Sequence, residues 1–189
     1  VMAPKLKARI LLKESEALFD RYDTESKIEK ALARKVWLKS GGYVIIDRTE
    51  ALTSIDVNSG KFVGKDNLEK TITAVNCEAA KEIAKQLRLR DIGGIIIIDF
   101  IDMEKEANRA LVLTTLKNAL REDHTRSHVF GFTHLGLVEM TRKKTGRSIG
   151  DTLQQVCPYC NGDAKVLAPE TMINRIRKQT VQVIKGSNN

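Results

Sequence analysis

A run of four isoleucines, residues 95–98, is the feature that most limits how this chain can fold. Gly93-Gly94 precedes the run and Asp99 follows it. A short apolar run with such boundaries is typical of a buried strand rather than a helix. A strand without polar alternation needs cover on both faces, as in the centre of a layered sheet. We therefore expect a mixed α/β fold, with a layered sheet flanked by helices and this run at its centre.

The segments around the run alternate between helix and strand patterns. We predict strands over residues 36–39, 43–47, 51–57, 127–132 and 135–141, and helices over residues 24–34, 66–90, 104–121 and 169–184. The first three strands are close together in the sequence, and Gly41-Gly42 marks a turn between two of them. These three strands are therefore expected to form an antiparallel meander.

Carboxylates stand at the ends of two of these strands, as Asp56 and Asp99. A charged group there is costly to desolvate unless something uses its charge. If the two acids meet they repel each other, and a divalent cation relieves that repulsion. Asn58 projects from the same face as Asp56, because strand side chains alternate. The pair indicates a site for Mg²⁺ or Mn²⁺ that could also take a phosphate oxygen. The alternative is that each acid simply ends its strand in solvent.

A C-x-x-C pair, Cys157 and Cys160, precedes the turn residues Asn161-Gly162. Structural Zn²⁺ needs four ligands, and only two thiols are close together here. The remaining cysteine, Cys77, lies in a predicted core helix. We therefore expect two chains to donate two cysteines each to one Zn²⁺. A redox pair and two free thiols are the alternatives.

Positive charge is concentrated near the C-terminus. Residues 141–189 hold nine Lys/Arg and three Asp/Glu, a net +6 of the +8 carried by the whole chain. This asymmetry favours a polyanionic partner, nucleic acid first, over a merely solvated basic tail. The candidate phosphate contacts are Lys61, Lys65, Arg142, Lys143, Lys144 and Arg147. Phe62 and Phe132 are the candidates for base stacking.

Other classes of protein are disfavoured by the sequence. It has no apolar run long enough to span a membrane and no signal-peptide pattern near the start. Three cysteines do not make a disulfide framework, and this favours a reducing compartment. We therefore expect a cytoplasmic protein.

Five groups of segments, in order along the chain, resemble the ribonuclease E/G family. They are residues 40–47 with 55–60, 78–91, 93–103, 136–143, and Cys157-Pro158-Tyr159-Cys160-Asn161-Gly162. The resemblance implies a magnesium-dependent, single-strand endoribonuclease whose hydrolysis leaves a 3′-hydroxyl and a 5′-monophosphate. It also implies that Asp56 and Asp99 hold the catalytic metal and that Asn58 supports them. Cys157 and Cys160 would form a zinc-link between two protomers, in a dimer or a tetramer.

The same resemblance implies a division of the chain. The expected parts are a lead-in at 1–22, a DNase I-like catalytic subdomain at 23–150, a zinc-link at 151–165 and a truncated small helical domain at 166–189. The family also carries an S1 RNA-binding domain and an RNase H-like subdomain ahead of the matching region. Since nothing here matches those parts, we expect a fragment or a minimal member. The rival reading is a zinc-stapled dimerisation and RNA-binding module without activity of its own.

Overall fold

The computed structural model describes residues 17–60 and 68–186. Its strands are β1 (Lys35–Trp37), β2 (Tyr43–Arg48), β3 (Leu52–Asn58), β4 (Gly94–Asp99), β5 (Ser127–Phe132) and β6 (Leu137–Arg142). Its helices are α1 (Leu18–Arg21), α2 (Thr24–Leu32), α3 (Leu68–Arg90), α4 (Glu106–Leu120), α5 (Ile149–Leu153) and α6 (Pro169–Gly186). Every predicted strand and helix is present to within a few residues. The short helices α1 and α5 are additional to the predicted elements.

All six strands belong to one sheet, in the order β1-β2-β3-β4-β6-β5. The predicted antiparallel meander of β1, β2 and β3 is confirmed. The pairing of β3 with β4 is parallel, whereas β4 with β6 and β6 with β5 are antiparallel. The long helix α3 makes the crossover between β3 and β4. Consequently β3 and β4 end at the same edge of the sheet, as parallel strands must.

The hydrophobic core lies between one face of the sheet and the helices α3 and α4. Alternate strand residues face it, and so do the apolar stripes of both helices. The buried members include Val44, Ile46, Ile55, Val57, Ile96, Ile98, Val138 and Met140 from the strands, and Val75, Ala79, Ile83, Leu87, Val112 and Leu116 from the helices. The mixed α/β class is therefore confirmed, with a mostly antiparallel sheet.

The prediction that both faces of the isoleucine run are covered is wrong for the described part of the chain. Ile96 and Ile98 are fully buried, but Ile95 is 52% exposed and Ile97 is half-buried. Burial therefore alternates along β4 although all four residues of the run are isoleucine. The reason is that α3 and α4 pack on the Ile96 side only. We call the other side, which carries Ile95, Ile97 and Asp99, the open face.

The chain divides into two compact units, between Thr152 and Leu153. The first unit holds the sheet and helices α1 to α4. The second unit holds the C-x-x-C segment and α6. Within the two described stretches, no helix combines the length and the apolar character needed to cross a membrane.

Candidate active site and metal centre

The two strand-end acids are direct neighbours. Asp56 of β3 and Asp99 of β4 are register partners in the parallel pair. Both are exposed, and the residues flanking them (Ile55, Val57 and Ile98) are buried on the helix side. Since adjacent strands lie about 4.8 Å apart, register partners on one face place their carboxylates side by side. The structure therefore brings together on the open face two acids that are far apart in the sequence.

Asn58 completes this group. Its Nδ2 donates a hydrogen bond to Asp56 Oδ2 at 2.7 Å. The two residues lie two positions apart on β3, so they share the open face. This bond fixes the orientation of the Asp56 carboxylate and leaves its other oxygen available to a ligand.

Electrostatic repulsion marks the acid pair. The pKa of Asp99 is raised, first by partial burial and then by the negative charges of Asp56 and Asp102. Like charges held close together disfavour ionisation, because each makes the other harder to charge. A cation at this position would remove the repulsion.

Asp102 was not among the predicted site residues. Its negative charge contributes to the raised pKa of Asp99, so it lies near the acid pair. Continuing the strand alternation from Asp99 would place it on the opposite face. However, β4 ends at Asp99, so the strand alternation does not extend to Asp102. An ideal Cβ added to Gly136 would lie 4.0 Å from Asp102 Oδ1, so this carboxylate approaches the turn between β5 and β6.

The loop that carries Asp102 is held from α3. Asn76, fully buried, donates from Nδ2 to the Ile101 carbonyl at 2.8 Å and accepts from the Ile101 N–H at 3.1 Å. Glu69 accepts hydrogen bonds from the backbone N–H of Lys105 at 3.2 Å and from Asn108 Nδ2 at 2.7 Å. The side chains of α3 thus fix both ends of the loop after β4. A polar residue on the apolar stripe of α3, Asn76, is the sequence signal that could have revealed this role.

The acid pair fits a small divalent cation. Mg²⁺ commonly binds through one or two carboxylates and completes its shell with water and phosphate oxygens. The pair offers two carboxylates whose mutual repulsion a cation relieves. Among the described residues, no group of three or more His, Cys, Asp or Glu could hold one ion. The two aspartates offer carboxylate oxygens and do not complete a coordination shell, which suits Mg²⁺ or Mn²⁺ with a bound phosphate.

The cysteine pair forms a tight turn in the second unit. The backbone N–H of Asn161 donates to the Cys157 carbonyl at 2.9 Å, and Asn161 and Gly162 have positive φ. The pKa of the Cys157 thiol is lowered, first by the backbone N–H of Cys160, then by that of Tyr159 and by the Cys160 side chain. Zn²⁺ binds thiolate rather than thiol, so a lowered thiol pKa favours metal binding, and the zinc site itself stays a prediction. Cys77 is half-buried in α3 and packs against the core, as predicted.

One predicted phosphate contact is contradicted. The Arg142 side chain is only 2% exposed, and it pairs with Asp91 at 2.8 Å and with Asp123 at 2.7 Å. It also donates to the Ile92 carbonyl at 2.9 Å. Arg142 is therefore an internal tie between the end of α3, the loop before β5 and strand β6. It has no free donor face to offer to RNA.

The other predicted basic residues lie away from the acid pair or outside the described residues. Lys143, Lys144 and Arg147 are exposed. They follow the end of β6 that pairs with Gly94, whereas Asp99 pairs with Leu137 at its other end. Gly94 and Asp99 are five residue steps apart along β4, a distance of about 16 Å. Lys61 and Lys65 lie outside the described residues, so their contribution stays a prediction.

Of the two stacking candidates, only Phe132 lies among the described residues. Phe132 is half-buried and packs against Phe100, with 6.3 Å between the ring centroids. Phe62 lies outside the described residues. The exposed rings of the open face are instead Trp37 of β1 and Phe130 of β5.

Comparison with known proteins points to one family. The Ribonuclease E/G family model matches residues 1–145. Ribonuclease G of Salmonella typhimurium is 52% identical over 168 residues, which are 89% of this chain and 34% of that protein. Ribonuclease G of Haemophilus influenzae is 48% identical over 95% of this chain and 37% of its own length.

Ribonuclease E of Escherichia coli is more distant, at 43% identity over 89% of this chain and 16% of its own length. The chain therefore spans about a third of the length of its ribonuclease G relatives. The family match covers the sheet, α3, α4 and both site acids. On these matches, the chain belongs to the ribonuclease E/G family.

Proposed function

We propose that this chain is the catalytic core of a magnesium-dependent, single-strand endoribonuclease that hydrolyses RNA to 5′-phosphate and 3′-hydroxyl ends. The observation that carries the proposal is the direct pairing of Asp56 with Asp99 on the open face. Membership of a family whose named relatives are ribonucleases supports RNA as the substrate. The DNase I-like arrangement of residues 23–150 is part of this proposal.

In this proposal Asp56 and Asp99 would hold Mg²⁺ or Mn²⁺ beside the scissile phosphate. When bound, the metal polarises the phosphoryl group and lowers the pKa of an attacking water. Asn58 keeps the Asp56 carboxylate in one orientation through its 2.7 Å hydrogen bond. Asn76 holds the loop that presents Asp102 beside the pair. Lys143, Lys144 and Arg147 contact the RNA farther along, since they follow Arg142, at the end of β6 opposite to the Leu137 that pairs with Asp99.

The second unit serves assembly in this proposal. Cys157 and Cys160 provide half of a tetrahedral Zn²⁺ site, and a second chain provides the other half. Residues 151–165 would then be a zinc-link and 166–189 part of a small helical domain. The lowered pKa of Cys157 favours the thiolate form that Zn²⁺ binds.

Cleavage of an end-labelled single-stranded RNA, with Mg²⁺ and with chelator, tests the enzyme proposal. Asp56→Asn and Asp99→Asn should abolish cutting, since each removes a charge from the pair. Glu139→Gln is the matched control, because Glu139 is an exposed acid on the same face but pairs with Ile97 rather than with Asp99. Cutting by both Asn variants at the wild-type rate would contradict the metal assignment.

The same assay separates the rival function, a zinc-stapled module that binds RNA without cutting it. A separate unit bearing the cysteine pair favours that reading as the second candidate. If Mg²⁺ and RNA both bind but no product forms, this module describes the chain better.

Zinc content and mass in solution test the shared site. We expect one Zn²⁺ for two chains, and Cys157→Ser should release the metal and yield monomer. Cys77→Ser is the control, because Cys77 lies on α3 and packs against the core of the first unit. A ratio of one Zn²⁺ to one chain would contradict sharing between protomers.

A further inference from the structure

A cluster of two aromatic rings and one cation stands on the open face at the edge of the sheet. The Trp37 and Tyr43 rings meet edge to face, with 5.4 Å between centroids and 66° between planes. The Lys35 ammonium lies 3.9 Å from the centroid of Trp37 and 3.6 Å from that of Tyr43. Trp37 is nevertheless 64% exposed. Most of the indole is therefore accessible while the lysine is held beside it.

The packing of the fold does not account for this cluster. A lysine on an edge strand discourages strand addition, but that purpose needs no exposed indole beside it. Leaving a tryptophan in water forgoes one of the largest burial energies that a side chain can supply. No ion pair to Lys35 is formed within the described part of the chain. The cluster thus presents a π-surface and an unneutralised positive charge together.

The strand register connects the cluster to the acid pair. Lys35 pairs with Ile45, Ile45 with Asp56, and Asp56 with Asp99, so these residues form one row across the sheet. In the adjacent row Trp37 pairs with Tyr43, and Tyr43 pairs with Asn58. Two strand spacings separate Lys35 from Asp56, about 10 Å. A single-stranded RNA with one phosphate at Asp56 and Asp99 would reach the Trp37 ring within its next few nucleotides.

We infer that Lys35, Trp37 and Tyr43 form a binding subsite for single-stranded RNA, which rests on the proposed nuclease function. A base stacks on the exposed part of the Trp37 indole, and the Lys35 ammonium contacts a backbone phosphate. Tyr43 holds Lys35 in place, because the Lys35 ammonium contacts the Tyr43 ring as well as the Trp37 ring. Single strands suit this site because every base offers a π-face that is hidden in a duplex. The subsite would fix the register of the RNA relative to Asp56 and Asp99.

Trp37 supplies its own probe, because the chain contains one tryptophan. The full chain is titrated in chelator, where no cutting occurs, with a short single-stranded RNA and with the same sequence as a duplex. We expect the single strand to quench Trp37 fluorescence saturably and the duplex to leave it nearly unchanged. Unchanged emission at RNA concentrations where polarisation of a labelled RNA shows binding would overturn the subsite.

The RNA affinity of variants, measured by polarisation of the labelled RNA, shows which side chains bind. Stacking of one base is worth roughly 1–3 kcal/mol, so Trp37→Ala should weaken binding about 5- to 140-fold. Lys35→Gln should reduce the slope of log affinity against log salt by about 0.7. Phe130→Ala is the matched control, because Phe130 is 62% exposed on the same face but contacts His128 rather than a lysine. Equal losses in Trp37→Ala and Phe130→Ala would assign binding to general aromatic exposure and refute the subsite.

The subsite and the nuclease proposal fail separately. Quenching of Trp37 without any magnesium-dependent cutting would support the subsite and refute the nuclease proposal. If Trp37→Ala cuts RNA at the wild-type rate and binds it with wild-type affinity, the nuclease proposal stands and the subsite is refuted.

Discussion

Replacing Arg142 by alanine should destabilise the first unit without a direct effect on RNA contacts. The guanidinium makes ion pairs with Asp91 and Asp123, and the Asp123 side chain is only 4% exposed. The variant leaves Asp123 buried with no compensating cation. A surface residue that contacts phosphate would behave in the opposite way, weakening RNA binding with little change in stability.

The magnitude follows from burial. Removing one partner of a buried ion pair typically costs about 3–5 kcal/mol, because the other charge stays desolvated. Adding each hydrogen bond of Arg142 separately would count the same desolvation several times. For a chain of this size a loss of 3–5 kcal/mol lowers the melting temperature by roughly 6–20 °C. Asp91 is one-third exposed, so it recovers solvation and adds little.

Urea unfolding, followed by circular dichroism in chelator, measures this loss. Lys143→Ala is the matched control, since it removes a positive charge from the exposed neighbouring residue and should stay within about 0.5 kcal/mol of wild type. At urea concentrations where both variants are folded, RNA affinity should fall no more for Arg142→Ala than for Lys143→Ala. If Arg142→Ala unfolds at the wild-type midpoint and loses RNA affinity, the reasoning from burial is refuted.

Two further predictions concern the acid pair and its support. Asn76→Ala leaves both backbone groups of Ile101 without their partner, so we expect a loss of about 1–3 kcal/mol in unfolding free energy and slower cleavage at unchanged RNA affinity. Wild-type stability and rate in that variant would show that the loop needs no anchor. The raised pKa of Asp99 means that the folded state binds its proton more tightly than the unfolded state does. Without metal, this contribution to stability therefore falls as pH rises from the usual aspartate pKa through the raised one. Asp99→Asn should remove that slope and be up to about 1 kcal/mol more stable than wild type at neutral pH, which chemical unfolding across pH can check. An Asn variant less stable than wild type in chelator would contradict the repulsion.

Local patterns in the sequence are enough to predict the secondary structure and to single out the two strand-end acids. Strand and helix periodicities, glycine turns and the isoleucine run depend on near neighbours, so they predict the elements to within a few residues. An acid that ends an apolar strand carries its own signal, because its desolvation has to be compensated. The sequence therefore predicts that Asp56 and Asp99 share a site, and the structure brings them together as register partners. Asn58 follows from its place on the same strand face as Asp56.

Only the tertiary structure decided which charges are internal and what surrounds the acids. Arg142 looks in the sequence like the adjacent Lys143, but its partners Asp123 and Asp91 lie 19 and 51 residues away. The run at Ile95 to Ile98 does not encode which of its faces is covered, since that depends on where α3 and α4 pack. Lys35 and Trp37 lie on the same face of the sheet as Asp56, two strands away, only because of the β1-β2-β3 register. Charge, hydrophobicity and periodicity are properties of single residues and short segments, whereas burial and register arise from contacts between distant ones.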